Sequence, residues 1–197
     1  MSLIPAPLLS RQTATAVVVV TLVAVAAAVA TAVVPIDGSV LWLVVARQIG
    51  LAVQVVVLAL AVFLAGRTLV AHSFGTAVGA LAAISGLLLF ALVQLGTIVV
   101  ATPWGFRSVV IALELVALVA AVLMIAGLLG LGVSMIRHGA WRGPTRASLI
   151  VAALLVLPLI AAQVAHLPLA IPYGVWSLSF LGLAAGLRTR REVPAHG

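Results

Sequence analysis

The sequence predicts an all-α, polytopic membrane protein: a six-helix transmembrane bundle with both termini on the cytoplasmic side (N-in/C-in). Three observations carry that expectation. Apolar residues fill 65% of the 197 positions and charged residues only 7%, with a mean hydropathy of +1.42. A soluble domain carries roughly 25% charged residues, because its surface must face water. The apolar residues also fall into runs near the length that a hydrocarbon core of about 30 Å requires, which is about 20 helical residues. Finally, the arginines gather at alternate ends of those runs.

A cytoplasmic segment, 1–12, leads into the first span, 13–34, which Pro35 stops. Pro35, Asp37 and Gly38 make a short turn into the second span, 40–66. The third span covers 74–95, and Thr102, Pro103, Trp104 and Gly105 connect it to the fourth, 108–133. Gly143 and Pro144 open the fifth span, 147–165, where a proline in the first turn loses no helical hydrogen bond. Pro158 lies inside that span and should kink it, since its ring removes one backbone bond and crowds another. Pro168 and Pro172 frame the start of the sixth span, 170–187, and residues 188–197 form a cytoplasmic tail.

Orientation follows from arginine placement. With the N-terminus inside, Arg11, Arg67, Arg137, Arg142, Arg146, Arg188, Arg190 and Arg191 fall on the cytoplasmic side, and only Arg47 and Arg107 outside. That is the positive-inside asymmetry. Trp42 and Trp104 fall at the outer interface and Trp141 at the inner one. The first span could instead be a cleaved signal peptide, but its apolar stretch exceeds the usual h-region of about 7–15 residues.

Composition also excludes several functions. Cysteine is absent, which rules out disulfides, thiolate catalysis, Cys-ligated zinc and iron–sulfur clusters. The net charge of +7 comes from arginines at span ends rather than on one continuous stripe, so topology explains it and no nucleic-acid partner is expected. The four histidines lie at helix ends, in loops or in the tail, so no facing pair is expected to hold a haem. No cofactor, metal or catalytic residue is assigned.

Helices in lipid associate through close contact of small residues. Gly75, Gly79 and Gly86, with Ala82 and Ala83 between them, make such a seam on the third span. Ala24, Ala28 and Ala32 recur at i+4 spacing on the first and form a candidate helix-docking face; Gly182 and Gly186 mark the sixth.

Counting about 1.5 Å per residue from the cytoplasmic markers places Arg47, Gln54, Gln94, Glu114, Gln163 and His166 toward the outer part of the membrane. Tyr173, Trp176 and Ser177 fall at a similar level. Glu114 is the one acidic residue within an apolar segment, and a carboxylate there is costly unless paired or protonated. Arg47 is its expected partner, with Arg107 as the competitor. Two readings follow. The polar groups either lock helices together, or line an outward-opening pocket for a small polar or anionic solute.

Ile84, Ser85 and Gly86, with His166, resemble the serine–histidine dyad of rhomboid proteases. Ala83 stands where a rhomboid has glycine, and the levels of Ser85 and His166 differ, so that chemistry is set aside. In length, span count, composition and tryptophan-bearing last helix, the chain resembles the small six-span membrane proteins of high-GC actinobacteria, a likeness that implies a bacterial plasma-membrane location and no activity. The expected role is therefore a non-enzymatic accessory or interaction subunit, whose partners are the lipid bilayer and a membrane protein or further copies of itself. The chain is also similar in size, span count and N-in orientation to the substrate-binding subunits of energy-coupling-factor transporters. That resemblance implies a solute bound from outside by Arg47, Glu114 and His166, and docking through Ala24, Ala28 and Ala32.

Overall fold

The computed structural model describes residues 6–33, 41–67, 74–100, 107–137, 145, 147–165 and 170–188. They form seven α-helices: α1 (Ala6–Val33), α2 (Leu41–Arg67), α3 (Phe74–Val100), α4 (Arg107–Arg137), α5 (Ser148–Leu154), α6 (Val156–Val164) and α7 (Ala170–Arg188). The connecting residues, including Pro35, Asp37, Trp104, Trp141, His166 and Pro168, lie outside the described residues. So do the side chains of Arg11, Ala28, Ala32, Trp42, Arg47, Arg67, Arg107, Gln163 and Arg188.

Three stretches among the described residues are long and apolar enough to cross a membrane: Gln48–Gly66 in α2, Phe74–Val100 in α3 and Ser108–Arg137 in α4. Shorter apolar stretches run over Gln12–Ala26, Ser148–Ala162 and Ile171–Leu187. Three helices outrun their sequence-based bounds by several residues: α1 begins at Ala6 rather than at 13, α3 continues from the expected end at Leu95 to Val100, and α4 from Val133 to Arg137. Backbone bonds close within the helix, so polar or basic residues such as Thr97 and Arg137 extend an end as readily as apolar ones.

The fifth apolar segment is broken. Helix α5 ends at Leu154 and α6 begins at Val156, with Leu155 N–H still reaching Val151 O at 3.0 Å. The sequence places the cause three residues on. Pro158 has no N–H for the Leu154 carbonyl four residues back, and its ring crowds that carbonyl.

Neighbours in sequence are neighbours in space. Helix α1 lies against α2, α2 against α3, α3 against α4, and α4 against α5; α5 then meets α7, which returns to α1 and closes a ring. Short connections favour this arrangement, because they fold each helix back on the last. Helix α6 covers α7, α5 and α4. The inside of the ring is filled. Trp176 and Phe180 of α7 are fully buried with rings 5.0 Å apart, and Phe90 of α3 meets Trp176 edge-on at 6.5 Å.

The closest helix contact is between α3 and α4. A Cβ at Gly86 would fall 2.6 Å from Met124 N and 2.8 Å from Ala120 O, and one at Gly127 would overlap the Ala83 backbone. Gly79 faces Leu131 N, at 3.1 Å from where its Cβ would stand. Small residues let the backbones approach, and dispersion between closely apposed atoms then holds the pair. Of the expected α3 seam, Gly79, Ala83 and Gly86 face α4, whereas Gly75 is exposed with open space around it. Gly182 of α7 sits as closely on Ser148 of α5.

Candidate functional site

The buried polar side chains of α2 and α7 meet in one set. Gln54 is 1% exposed and Ser177 fully buried; Gln54 Nε2 donates to Ser177 Oγ at 2.8 Å. Tyr173 Oη donates to Gln54 Oε1 at 3.0 Å. Tyr173 and Ser177 stand one turn apart on α7, so both reach the same amide. The two ends of the Gln54 side chain are thus engaged, its amide as donor and its carbonyl as acceptor. One residue from Ser177, Trp176 Nε1 donates to Ala152 O at 3.1 Å, tying α7 to α5 just before the break at Leu155. Each such bond contributes about 1 kcal/mol net, but removing one partner leaves a buried group that costs about 1–3 kcal/mol.

This set includes one of the candidate site residues, Gln54, and the three α7 residues expected at its level. The others lie elsewhere. Gln94 is half-buried on α3, and its backbone carbonyl accepts a bond from Thr97 Oγ1 at 2.6 Å. Glu114 is exposed on α4. Helix α3 packs against both α2, which carries Arg47, and α4, which carries Glu114, while α2 and α4 share no substantial contact among the described residues. The side chains of Arg47, Arg107 and Gln163, and the whole of His166, lie outside the described residues. On α1, Ala24 belongs to the buried core, and α1 packs on α7 and α2. Ser85, considered as a nucleophile, is exposed on α3.

Three polar features had no counterpart in the sequence reading. Thr76 and Ser134 share a buried hydroxyl–hydroxyl hydrogen bond of 2.5 Å, which joins the start of α3 to the end of α4. Thr21 Oγ1 on α1 and Gln48 Oε1 on α2 are buried without a hydrogen-bond partner among the described residues. The signal for the first pair was present: Thr76 and Ser134 lie near opposite ends of helices that are consecutive and antiparallel, which puts them at one level. Nothing in the sequence separates Thr21 from the exposed Thr15 of the same helix.

An open groove of about 500 Å³ runs beside Gln12, Thr15, Ala16 and Val19 of α1. Among the described residues no three His, Asp or Glu side chains gather where they could hold a metal ion. No family model, curated protein or solved structure matches this chain.

Proposed function

We propose that this protein is a six-span subunit of a bacterial plasma membrane, N-in and C-in, that works by binding another membrane protein rather than by catalysis. Helix lengths support the span count. Helix α1 has 28 residues and α7 has 19, or about 42 and 28 Å at 1.5 Å per residue. Helices α5 and α6 together run from Ser148 to Val164, again close to the thickness of a hydrocarbon core. The arginine asymmetry supports the orientation.

One observation carries the role. Gln54, Tyr173 and Ser177 inside the ring are tied to one another in a set beside the Trp176–Phe180 plug, whereas Thr21 Oγ1 and Gln48 Oε1 are buried without a partner among the described residues. A solute site needs convergent polar groups free to be engaged by the solute. Here those groups hold helices together, which is what a scaffold needs. At the same time, the first twelve residues after Arg107 on α4 contain no fully buried position: Leu113 packs on Gly96 of α3, and the face bearing Ile111, Leu115 and Leu118 is left exposed.

Purification of the full chain in mild detergent, followed by mass spectrometry of the eluate, tests the reading. A stoichiometric membrane protein in the eluate is the expected result. A retained small polar molecule and no protein would instead favour the solute-binding role. Reporter fusions at residues 1, 70, 140 and 197 on one side and 37 and 104 on the other test the topology; a reporter at 37 on the cytoplasmic side would overturn it.

A further inference from the structure

The α4 helix is apolar all round, and its two halves differ sharply in packing. From Ala120 onward it buries Ala120, Ala121, Met124, Gly127, Leu128 and Leu131. From Ser108 to Val119 no residue is buried. Ile111, Leu115 and Leu118, at 50%, 60% and 55% exposure, lie at i, i+4 and i+7 and share one face. Glu114, also exposed, stands within that face, one turn from both Ile111 and Leu118.

Lipid would cover the leucines without cost, but not the carboxylate. A carboxylate within an apolar span is costly unless it is paired, and such residues normally find a partner within the membrane. The surface is therefore an aliphatic stripe with one acidic group in its middle. A second copy of this chain does not complement it. Two copies share one orientation in the membrane, and a two-fold contact along this face would set Glu114 beside its own equivalent, like charge against like.

We infer that the Ser108–Val119 half of α4 docks a transmembrane helix of a different protein. That helix carries an arginine or lysine at the level of Glu114 and small or aliphatic residues to either side. The inference rests on the interaction-subunit reading and names the surface and the chemistry of its partner. The leucine stripe supplies packing area, and Glu114 supplies register and specificity, since a wrong partner leaves its carboxylate unpaired in lipid.

The test is site-specific photo-crosslinking in membranes of the native host, with a benzophenone side chain replacing Leu118 in the full chain. The same probe at Leu92, 61% exposed on α3, serves as control. The expected product at 118 is one heterologous membrane protein with a basic residue in the crosslinked span, and a yield at least tenfold above that at 92. Glu114→Gln should lower the 118 yield severalfold while leaving thermal stability in detergent unchanged. Glu114→Arg should abolish the product, and reversing the partner's basic residue to glutamate should restore it. Crosslinks at 118 to lipid alone, or to a second copy of this chain, overturn the inference, as does a yield indifferent to Glu114→Gln. If a protein co-purifies but never crosslinks at 118, the surface is wrong and the subunit role stands. If no protein co-purifies or crosslinks at any exposed position, the role itself fails.

Discussion

Substituting Gly127 by alanine probes the closest approach in the bundle. The added Cβ would sit 2.6 Å from Ala83 Cα and 2.8 Å from the Ala82 carbonyl carbon, and closer still to Ala83 N. These are backbone atoms in the middle of a helix, so no rotamer change relieves the overlap. Restoring ordinary contact near 3.4 Å requires α3 and α4 to separate by at least about 0.8 Å, taking the 2.6 Å approach as the measure. A gap of 0.5–1 Å forfeits roughly a quarter to a half of each dispersion well of about 0.1–0.2 kcal/mol. If the seam makes as many atom contacts as one buried leucine, roughly 40–60, the loss is about 3 kcal/mol, within a range of about 1–6 kcal/mol. The backbone entropy that alanine saves, up to about 1 kcal/mol, offsets only part of it, and helix association in lipid has no hydrophobic term to fall back on. Gly50→Ala is the matched control: no atom lies within 4 Å of its Cβ position, so the change should be neutral or stabilise by up to about 1 kcal/mol through backbone entropy. Reversible unfolding in mixed micelles of increasing SDS content, followed by circular dichroism, measures both. A Gly127→Ala protein within 0.5 kcal/mol of wild type, or an equal loss in Gly50→Ala, would show that the α3–α4 seam is not held by close backbone contact.

Three further perturbations address the polar core and the break. Thr21→Val replaces a buried, unpartnered hydroxyl by a methyl of the same shape, and should stabilise the protein by about 1 kcal/mol in the same unfolding assay; a loss of stability would mean the hydroxyl is engaged. Tyr173→Phe leaves Gln54 Oε1 without that donor and should cost about 1–2 kcal/mol, whereas adding Tyr173→Phe to a Gln54→Leu protein should cost clearly less; additive losses in the double-mutant cycle would show that the two side chains do not act together. Pro158→Ala restores a donor for the Leu154 carbonyl and should join α5 to α6. Amide hydrogen exchange at residues 156–159 should slow severalfold, and unchanged exchange would place the cause of the break elsewhere.

Much of the architecture was legible in the sequence, for reasons particular to lipid. A helix that must satisfy its own backbone in hydrocarbon announces itself as an apolar run, so α2, α3 and α4 lie where those runs lie. Pro158 predicted a disruption that appears at Leu155, because the ring acts on the carbonyl four residues back whatever surrounds it. Counting residues also placed Gln54 level with Tyr173 and Ser177, which do bond. Level, however, is only one coordinate. The Thr76–Ser134 bond and the buried Thr21 depend on which way each side chain points around its helix, and helices that are apolar all round carry no periodic signal for that direction.

Glu114 shows where the division falls. The sequence by itself determined that the residue stands alone as a carboxylate in an apolar helix, and that a partner must be sought for it. Which helices adjoin is a tertiary fact. The interposition of α3 between α2 and α4, and the exposed face of Ser108–Val119 on α4, accompany close packing of small residues at Gly79, Ala83, Gly86 and Gly127. The physical reason is that small-residue seams are matched in three dimensions, and many pairings of alanine- and glycine-rich helices look equivalent until the backbones are brought together.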